Sequence, residues 1–267
     1  MLEIDQWVAA SVLGHGPGEG NPMVVVQLAH WPPDTVLQAA SRRLPAEEVT
    51  YAVNAGGTLR LRWFGPHGEV PYCGHGALAA SAFLTDRHDT RPVVALGGPA
   101  RVRLVLGHEG GVPMLQMPAV GITEQPPGHI DLGVPVSRIF DAGRDYLVVL
   151  PDAATLRSAR PDRARMLALD KIGLILTAHT SPATAAFRFL APRAGIDEDR
   201  VSCSVLPALA ALWLADGPGY GTFLQCSGVD IPMPVQRIDE GWRVTGPVHV
   251  TGRGAWRDVF APTPQDS

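Results

Sequence analysis

Two segments of the chain share one succession of apolar and polar positions. Each begins with alternating residues around a central arginine, Arg62 in the first segment and Arg188 in the second. An alternation of period two predicts a half-buried β-strand. In each segment a proline turn, a group of small polar residues and an Ala/Leu-rich run follow the strand. The pattern therefore predicts the same strand–turn–helix unit twice.

The spacing of the two segments favours duplication. The arginines lie 126 positions apart, and the small-residue groups at Gly74 and Cys203 lie 129 positions apart, so one three-residue loop insertion reconciles the two registers. Chance recurrence of strand, turn and helix in an α/β protein is the alternative. A chain of 267 residues also predicts two lobes of roughly 130 residues each. We place the first lobe at residues 1–122, joined by the C-terminal tail 258–267, and the second at residues 123–257.

The Ala/Leu-rich runs at residues 76–84 and 204–215 are apolar around most of a helical circumference. A helix without a polar face is buried, so we expect each run at the centre of its lobe with a sheet wrapped around it. The fold class predicted is thus α/β or α+β. Further strands are predicted at residues 23–28, 49–53, 114–117, 146–150, 172–177 and 242–250, and surface helices at residues 35–43, behind Asp34, and 153–169.

Composition and charge narrow the class of partner. The chain is 46% hydrophobic and 18% charged, with a net charge of −4 and a pI near 6.1. Binding to nucleic acid or to an anionic membrane needs clustered lysine and arginine, so neither is expected. We expect a small-molecule partner instead. Lys171 is the only lysine, so Schiff-base chemistry would depend on that one side chain.

The termini and cysteines predict a cytoplasmic protein. The first residues carry acid where a signal peptide carries base, and no apolar stretch follows them. The longest apolar run, residues 203–215, is shorter than the ~18 residues that span a bilayer. Three cysteines cannot all pair and are too few for a disulfide scaffold, which fits a reducing compartment.

The small-residue groups stand where the two buried helices begin. We call Gly74-His75-Gly76 the first elbow and Ser202-Cys203-Ser204 the second elbow. The start of a helix presents unpaired backbone N–H groups and the positive end of the helix dipole, and small residues let an anion approach them closely. If the duplication brings the elbows face to face, the cleft between the lobes binds a carboxylate. The same N–H groups would stabilise the charge that forms when the neighbouring carbon loses a proton.

Few acidic or basic side chains accompany the elbows. Asp199 precedes the second elbow and His75 lies within the first, so both are candidates for proton transfer. Glu47 and Glu48 stand in a polar break before the strand at residues 49–53. A solvated surface turn is the alternative for such an acidic pair.

Three segments carry longer motifs. EGNPMVVVQLA, at residues 19–29, is similar to GNPxAVV, and LRWFGPHGEVPYCGHGALAASAFL, at residues 61–84, is similar to RWFTPxxEVxxCGHATLAAAxxL. FRFLAPRAGIDEDRVSCSVLPALA, at residues 187–210, resembles RxFAPxxGxxEDPATGSAAGAL. These are motifs of the phenazine-biosynthesis (PhzF-like) isomerase family. They occur in both halves and in the same order, so the resemblance covers most of the chain.

The resemblance implies a fold and an activity. The family has the diaminopimelate epimerase-like fold, with two lobes that each wrap a sheet around a central helix and the active site between them, usually as a homodimer. It uses no metal and no organic cofactor. A glutamate in an SETxF-like segment carries a proton between carbons of a conjugated acid. Glu48-Val49-Thr50-Tyr51 is the best match, which assigns the proton to Glu48 and leaves Glu47 as the alternative.

The resemblance also implies further site residues. Asp199 takes the acidic position of the family's third motif, and the family's first loop falls on Gly74, His75 and Gly76, of which His75 is already a candidate for proton transfer from its place in the repeat. The remaining positions are assigned to substrate binding: Asn21, Gly74, Gly76, Ser202, Cys203 and Ser204.

Departures from the family motifs leave two alternatives open. Cysteine stands at 203 in place of the loop glycine, and Arg200 in place of a proline. YCGHG and DRVSC are similar to the MCGHG and DRxxCG motifs of proline racemases, which implies that Cys73 and Cys203 act as a paired thiol and thiolate. Both cysteines are otherwise small buried residues. The other alternative is a protein that binds an anionic metabolite without catalysis.

The composition indicates a biological setting but not a substrate. An arginine-rich, lysine-poor chain is typical of a GC-rich genome, where such isomerases often serve secondary metabolism, antibiotic biosynthesis included. The expectation of a small, unsaturated, carboxylated metabolite as the substrate rests instead on the resemblance to the family, which acts on a conjugated acid.

Overall fold

The structure, a computed structural model, describes residues 1–89, 91, 93–181 and 184–260. The first elements along the chain are β1 (Gln6–Val12), β2 (Asn21–Leu28), α1 (Asp34–Ser41), β3 (Glu48–Ala55), β4 (Thr58–Gly65), β5 (Gly68–Val70), α2 (Gly74–Leu84), β6 (Val93–Gly97), β7 (Val102–Glu109) and β8 (Val112–Pro118).

The remaining elements are β9 (Thr123–Gln125), β10 (Arg138–Ala142), β11 (Asp145–Val149), α3 (Ala153–Ser158), α4 (Arg163–Leu167), β12 (Gly173–Ser181), β13 (Thr184–Ala191), β14 (Ile196–Asp199), α5 (Leu206–Trp213), β15 (Tyr220–Gln225), β16 (Ile231–Ile238), β17 (Gly241–Thr245) and β18 (Val248–Ala255). Short 3-10 turns occupy Pro192–Ala194, Cys203–Val205 and Trp256–Phe260.

The chain divides into two compact units. The first unit comprises Met1–Leu115 and the chain from Thr245 onward, and the second comprises Gln116–Val244. The sequence placed residues 245–257 in the second lobe, whereas the structure places them in the first unit, because β18 pairs antiparallel with β1. In the predicted tail, residues 261–267 lie outside the described residues.

The strands of the two units pair in the same order. In the first unit β1 and β2 are antiparallel, β2 and β3 parallel, β3 and β4 antiparallel, and β4 and β6 parallel. In the second unit β10, β11, β12, β13 and β15 repeat this succession of pairings. The parallel pairs need crossover connections, which α1 and α2 supply in the first unit and α3, α4 and α5 in the second. This agreement supports the predicted duplication.

The two repeated arginines form the same ion pair within their units. Arg62 donates two hydrogen bonds to Glu69, at 2.8 and 2.6 Å. Arg188 donates two to Glu198, also at 2.8 and 2.6 Å. The duplication therefore extends from the backbone to individual side chains.

Successive side chains along each strand of the first unit point to opposite faces of the sheet, as β-strand geometry requires. Val24 and Tyr51 pack with Leu37 of α1 in one buried cluster. Helix α2 packs against β1, β2, β3 and β7. All of its residues except Ala82 are buried, which confirms the expected buried helix in this unit.

The helix that follows the second elbow is shorter and less buried than predicted. A 3-10 turn, Cys203–Val205, precedes α5, and Pro207 lies in the first turn of α5, where its missing N–H costs nothing. Residues 206–210 are buried, but residues 211–213 are only half-buried. The predicted single buried helix over residues 204–215 was therefore too long.

Two other predicted elements were wrong because proline interrupts them. The helix expected at residues 153–169 is two short helices, α3 and α4, separated around Pro161. The strand expected at residues 242–250 is divided into β17 and β18 at Gly246 and Pro247. Proline lacks the N–H that a helix or a sheet ladder needs, so a hydrophobic pattern alone overestimates such elements. In the described part of the chain, no helix is both long and apolar enough to cross a membrane.

Candidate active site

Predicted site residues converge at the start of helix α2, inside the first unit. Glu48 is the first residue of β3, and its side chain shares a face of the strand with Thr50, two positions on. Thr50 lies against Gly76 of the first elbow. The strand periodicity therefore turns Glu48 toward the first elbow. Glu47 precedes the strand and is exposed.

The carboxylate of Glu48 contacts a thiol and an imidazole. The thiol of Cys73 donates to Oε2 of Glu48 at 3.1 Å, and Nε2 of His75 lies 3.3 Å from the same oxygen. Cys73 and His75 are buried, whereas 13% of the Glu48 side chain is exposed. The carboxylate thus has two partners in the protein interior and remains accessible to a ligand.

The first elbow fits closely around its helix terminus. Cys73 is the N-cap of α2, and its Sγ atom accepts a hydrogen bond from the N–H of Gly76 at 3.3 Å. A Cβ atom at Gly76 would lie 2.5 Å from Oγ1 of Thr50 and 3.0 Å from both Sγ of Cys73 and Cδ1 of Trp63. Only glycine fits this position.

Asn21 begins β2 and is half-buried, where it stands opposite Val12 of β1. Asn21 and the first elbow belong to the same unit. Its predicted role in substrate binding stays a prediction.

The second elbow is held by hydrogen bonds inside the second unit. The hydroxyl of Ser202 donates to Oδ2 of Asp199 at 2.7 Å, and the Ser202 N–H donates to Oε1 of Gln225 at 2.7 Å. Nε2 of Gln225 donates to the Asp199 carbonyl at 2.6 Å. Asp199 is half-buried, so its carboxylate is both anchored and accessible. Asp199 and Ser202, both predicted site residues, are in contact, and the sequence carries no indication of Gln225, which comes from β15.

Cys203 is fully buried in the second elbow. Burial raises the pKa of its thiol far above the ordinary value, and the charge of Asp199 adds to the rise. A thiolate at this position is therefore strongly disfavoured, which weakens the thiol–thiolate alternative.

A guanidinium that sequence reasoning missed stands at the second elbow. Arg144 donates to Oγ of Ser204 at 3.1 Å and to Oδ2 of Asp145 at 2.7 and 2.9 Å. Asp145 begins β11, the second unit's counterpart of β2. Extending the duplication two strands toward the N terminus, from β4 and β13 to β2 and β11, would have pointed to this part of the chain. The predicted meeting of the two elbows across a cleft stays a prediction.

The chain is similar to known proteins in both sequence and structure. The sequence model of the family described as Phenazine biosynthesis-like protein (PhzC-PhzF) matches residues 11–224. A protein of Pseudomonas aeruginosa named an uncharacterized isomerase is 32% identical over 200 residues, which are 74% of this chain and 77% of that protein.

Solved structures show the fold. A PhzF family protein of Enterococcus faecalis superposes with a TM-score of 0.77 at 23% identity, over 93% of this chain and 97% of the other. A probable proline racemase of Agrobacterium radiobacter gives a TM-score of 0.59 at 11% identity, over 98% and 99% of the two chains. These likenesses confirm the predicted mixed α/β architecture, the diaminopimelate epimerase-like fold.

Proposed function

The chain belongs to the phenazine biosynthesis-like (PhzC-PhzF) family and is an isomerase, and we propose that it moves a proton between carbons of a small carboxylated metabolite, with Glu48 as the proton carrier. The observation that carries the proposal is the placement of the Glu48 carboxylate, 3.1 Å from the Cys73 thiol and 3.3 Å from the His75 imidazole at the start of α2.

The surroundings of Glu48 suit general acid–base catalysis. A carboxylate removes a proton from one carbon and, once protonated, returns it to another, so it must be oriented and reachable. Cys73 and His75 orient the carboxylate through one oxygen, Oε2. The partial exposure of Glu48 leaves a path to the substrate. No cofactor is required for this proton shift.

The first elbow supplies the complementary charge. When the carbon beside a carboxylate loses its proton, negative charge spreads onto the carboxylate oxygens. Backbone N–H groups at the first turn of α2 and the dipole of the helix stabilise that charge. Gly74 and Gly76 lie in this first turn, where Gly76 leaves room for Thr50, Cys73 and Trp63 to pack against the start of the helix. His75 acts here as a positioning residue for Glu48.

We assign the second elbow a binding role. Arg144 adds a permanent positive charge beside Ser204, and a guanidinium is suited to a carboxylate ligand. Asp199 and Ser202 provide further hydrogen-bonding groups. The thiol alternative is less favoured because it needs a thiolate at Cys203, where burial raises the thiol pKa.

Glu48→Gln tests the proposal. The amide keeps the shape of the side chain but cannot carry the proton, so we expect turnover to fall by about 10²- to 10⁴-fold with ligand affinity nearly unchanged. The measurement is deuterium uptake from heavy water by a panel of carboxylic acids that includes conjugated amino acids and unsaturated proline-like rings. The acid that exchanges then identifies the substrate class.

Glu47→Gln is the matched control, because it makes the same chemical change at the exposed neighbouring position. We expect it to retain wild-type exchange. Full activity of Glu48→Gln with loss in Glu47→Gln would exchange the roles of the two residues. Full activity of the double variant would refute the carboxylate mechanism.

The setting and assembly of the enzyme are further parts of the proposal. We propose a cytoplasmic homodimer that serves secondary metabolism, on the strength of the family motifs and the arginine-rich composition. Light scattering of the purified chain tests the dimer, and a monomeric mass would refute it.

A further inference from the structure

Three different donor atoms meet at the first elbow. Sγ of Cys73 lies 3.1 Å from Oε2 of Glu48 and 3.7 Å from Nε2 of His75, and this nitrogen lies 3.3 Å from the same carboxylate oxygen. Within the described ranges, these three residues are the group of histidine, cysteine and carboxylate side chains whose ligand atoms lie close enough to share a metal ion.

The triangle of donor atoms has the dimensions of one face of a zinc tetrahedron. Zinc binds thiolate sulfur at about 2.3 Å, and imidazole nitrogen and carboxylate oxygen at about 2.0–2.2 Å. Tetrahedral angles between bonds of those lengths separate the donor atoms by about 3.4–3.6 Å. The three observed separations bracket that range, so an ion fits with small side-chain movements. The fourth position is left for water or a substrate atom.

Sγ of Cys73 faces the other two donor atoms from the start of α2. The N–H of Gly76 donates to Sγ, and Sγ stands at the positive end of the α2 dipole. A set of thiolate, imidazole and carboxylate prefers zinc to magnesium or calcium, which take oxygen ligands. The exposed part of Glu48 gives the ion a route from solvent.

We propose that Glu48, Cys73 and His75 form a zinc-binding site and that the bound ion inhibits the isomerase. The inhibitory role rests on the proposed function, because an oxygen that bonds to zinc no longer accepts the substrate's proton. Binding releases the thiol proton of Cys73 to solvent and engages neutral His75 through Nε2, with no change of oxidation state. Zinc is thus a reversible inhibitor of a reaction that needs no metal.

Cobalt(II) is the optical probe for this site, since a cobalt–thiolate bond gives a charge-transfer absorption. We expect one equivalent of cobalt per chain to produce the absorption and zinc to abolish it by displacement. Cys73→Ser should weaken cobalt binding by at least about 10-fold, the loss that even an indirect partner of a metal causes. Serine is itself a good N-cap, so this variant should keep the start of α2.

Cys226→Ser is the matched control. Cys226 is buried in the second unit, where its thiol donates to the Phe187 carbonyl at 3.4 Å. We expect this variant to give the wild-type spectrum. An absence of thiolate absorption in the wild type, or absorption that survives Cys73→Ser and disappears in Cys226→Ser, would overturn the site.

Activity assays test the inhibitory role separately. We expect stoichiometric zinc to lower deuterium exchange by at least about 10-fold and a chelator to restore it. Zinc that binds and leaves exchange unchanged or faster would overturn inhibition. Because the cobalt titration does not depend on turnover, cobalt binding together with an active Glu48→Gln variant would support the zinc site while refuting the proposed proton carrier.

Discussion

The two units carry different chemistry at one shared register position. In the first unit Tyr51 of β3 stands opposite Arg62, and in the second Leu176 of β12 stands opposite Arg188. Three positions earlier on the same strands stand Glu48 and Gly173. Where the first unit has its proposed proton carrier, the second has no side chain.

In the second unit, a carboxylate from the neighbouring strand β11 lies beside the glycine at this position. Asp145 stands opposite Gly173, and its Oδ1 atom lies 2.6 Å from where a Cβ on Gly173 would be. Its partner is Arg144, a guanidinium that keeps its proton. The partners of Glu48 include a thiol and an imidazole, which exchange protons. The duplication thus preserved the backbone and the Arg–Glu pair, and the first unit retained the groups suited to moving a proton.

Removing the repeated arginines should affect the two units unequally. Only 7% of the Arg188 side chain is exposed, and it also donates to the carbonyls of Leu156 and Ala159 at 3.0 and 2.8 Å. Arg188→Met therefore leaves two buried carbonyl groups, as well as Glu198, without their hydrogen-bond donor. We expect it to lower the free energy of unfolding by about 3–5 kcal/mol.

Arg62→Met is the matched variant in the first unit. The second acceptor of Arg62 is Asp34, which is 71% exposed and can be solvated by water instead. We expect a smaller cost, about 1–3 kcal/mol. Urea unfolding of both variants measures the difference. Equal costs would show that the backbone acceptors of Arg188 contribute little.

Gly76→Ala should distort the backbone of the first elbow, because the added Cβ atom would clash with Thr50. Overpacking of this kind costs about 1–3 kcal/mol, and displacement of Cys73 and Glu48 should also lower exchange. The double variant Gly76→Ala with Thr50→Ala removes the shortest of the three close contacts and should regain part of the stability. Ser204→Ala, in the second elbow, removes one hydrogen bond and should cost about 0.5–1.5 kcal/mol. A larger loss in Ser204→Ala than in Gly76→Ala would reverse this comparison.

The Arg188–Glu198 pair should also contribute to acid unfolding. Burial opposes ionisation of Glu198, but the hydrogen bond and charge of Arg188, together with Ser227 and the charge of Arg160, outweigh it, so the pKa of Glu198 is lowered from its ordinary 4.5. A lowered pKa in the folded state stabilises the protein above pH 4.5, and this contribution is lost as the pH falls through the folded value. The stability difference between wild type and Glu198→Gln should therefore shrink from pH 7 to pH 3.5 in urea titrations. A constant difference would mean that the charge of Glu198 is not what stabilises the pair.

The sequence predicted the duplication and the first elbow because both are encoded locally. Arg62 and Arg188 lie in alternating strands, and Cys73 and His75 adjoin one helix start, so neighbours in sequence are neighbours in space. Gln225 and Arg144 were missed because they reach the second elbow from β15 and the start of β11. Such contacts depend on strand order, which a hydrophobic pattern does not specify. The division of residues 245–257 was missed for the same reason, since only the pairing of β18 with β1 assigns them to the first unit.

Cys203→Ala is the variant with the smallest expected effect on activity. It tests most directly whether the two elbows have different chemical roles. The side chain of Cys203 is fully buried and its raised thiol pKa disfavours a thiolate, so its thiol contributes packing rather than proton transfer. Any ligand contact at this position would come from the backbone N–H, which alanine keeps. We expect exchange activity to change by less than about 10-fold, whereas loss of a catalytic acid or base costs about 10²- to 10⁴-fold. Deuterium-exchange rates of Cys203→Ala and Cys73→Ala, each corrected for the folded fraction, provide the measurement. If both variants lost activity to the catalytic extent while Glu48→Gln stayed active, one sulfur atom would remove the substrate's proton and the other would deliver its own, and the two elbows would have equivalent chemical roles.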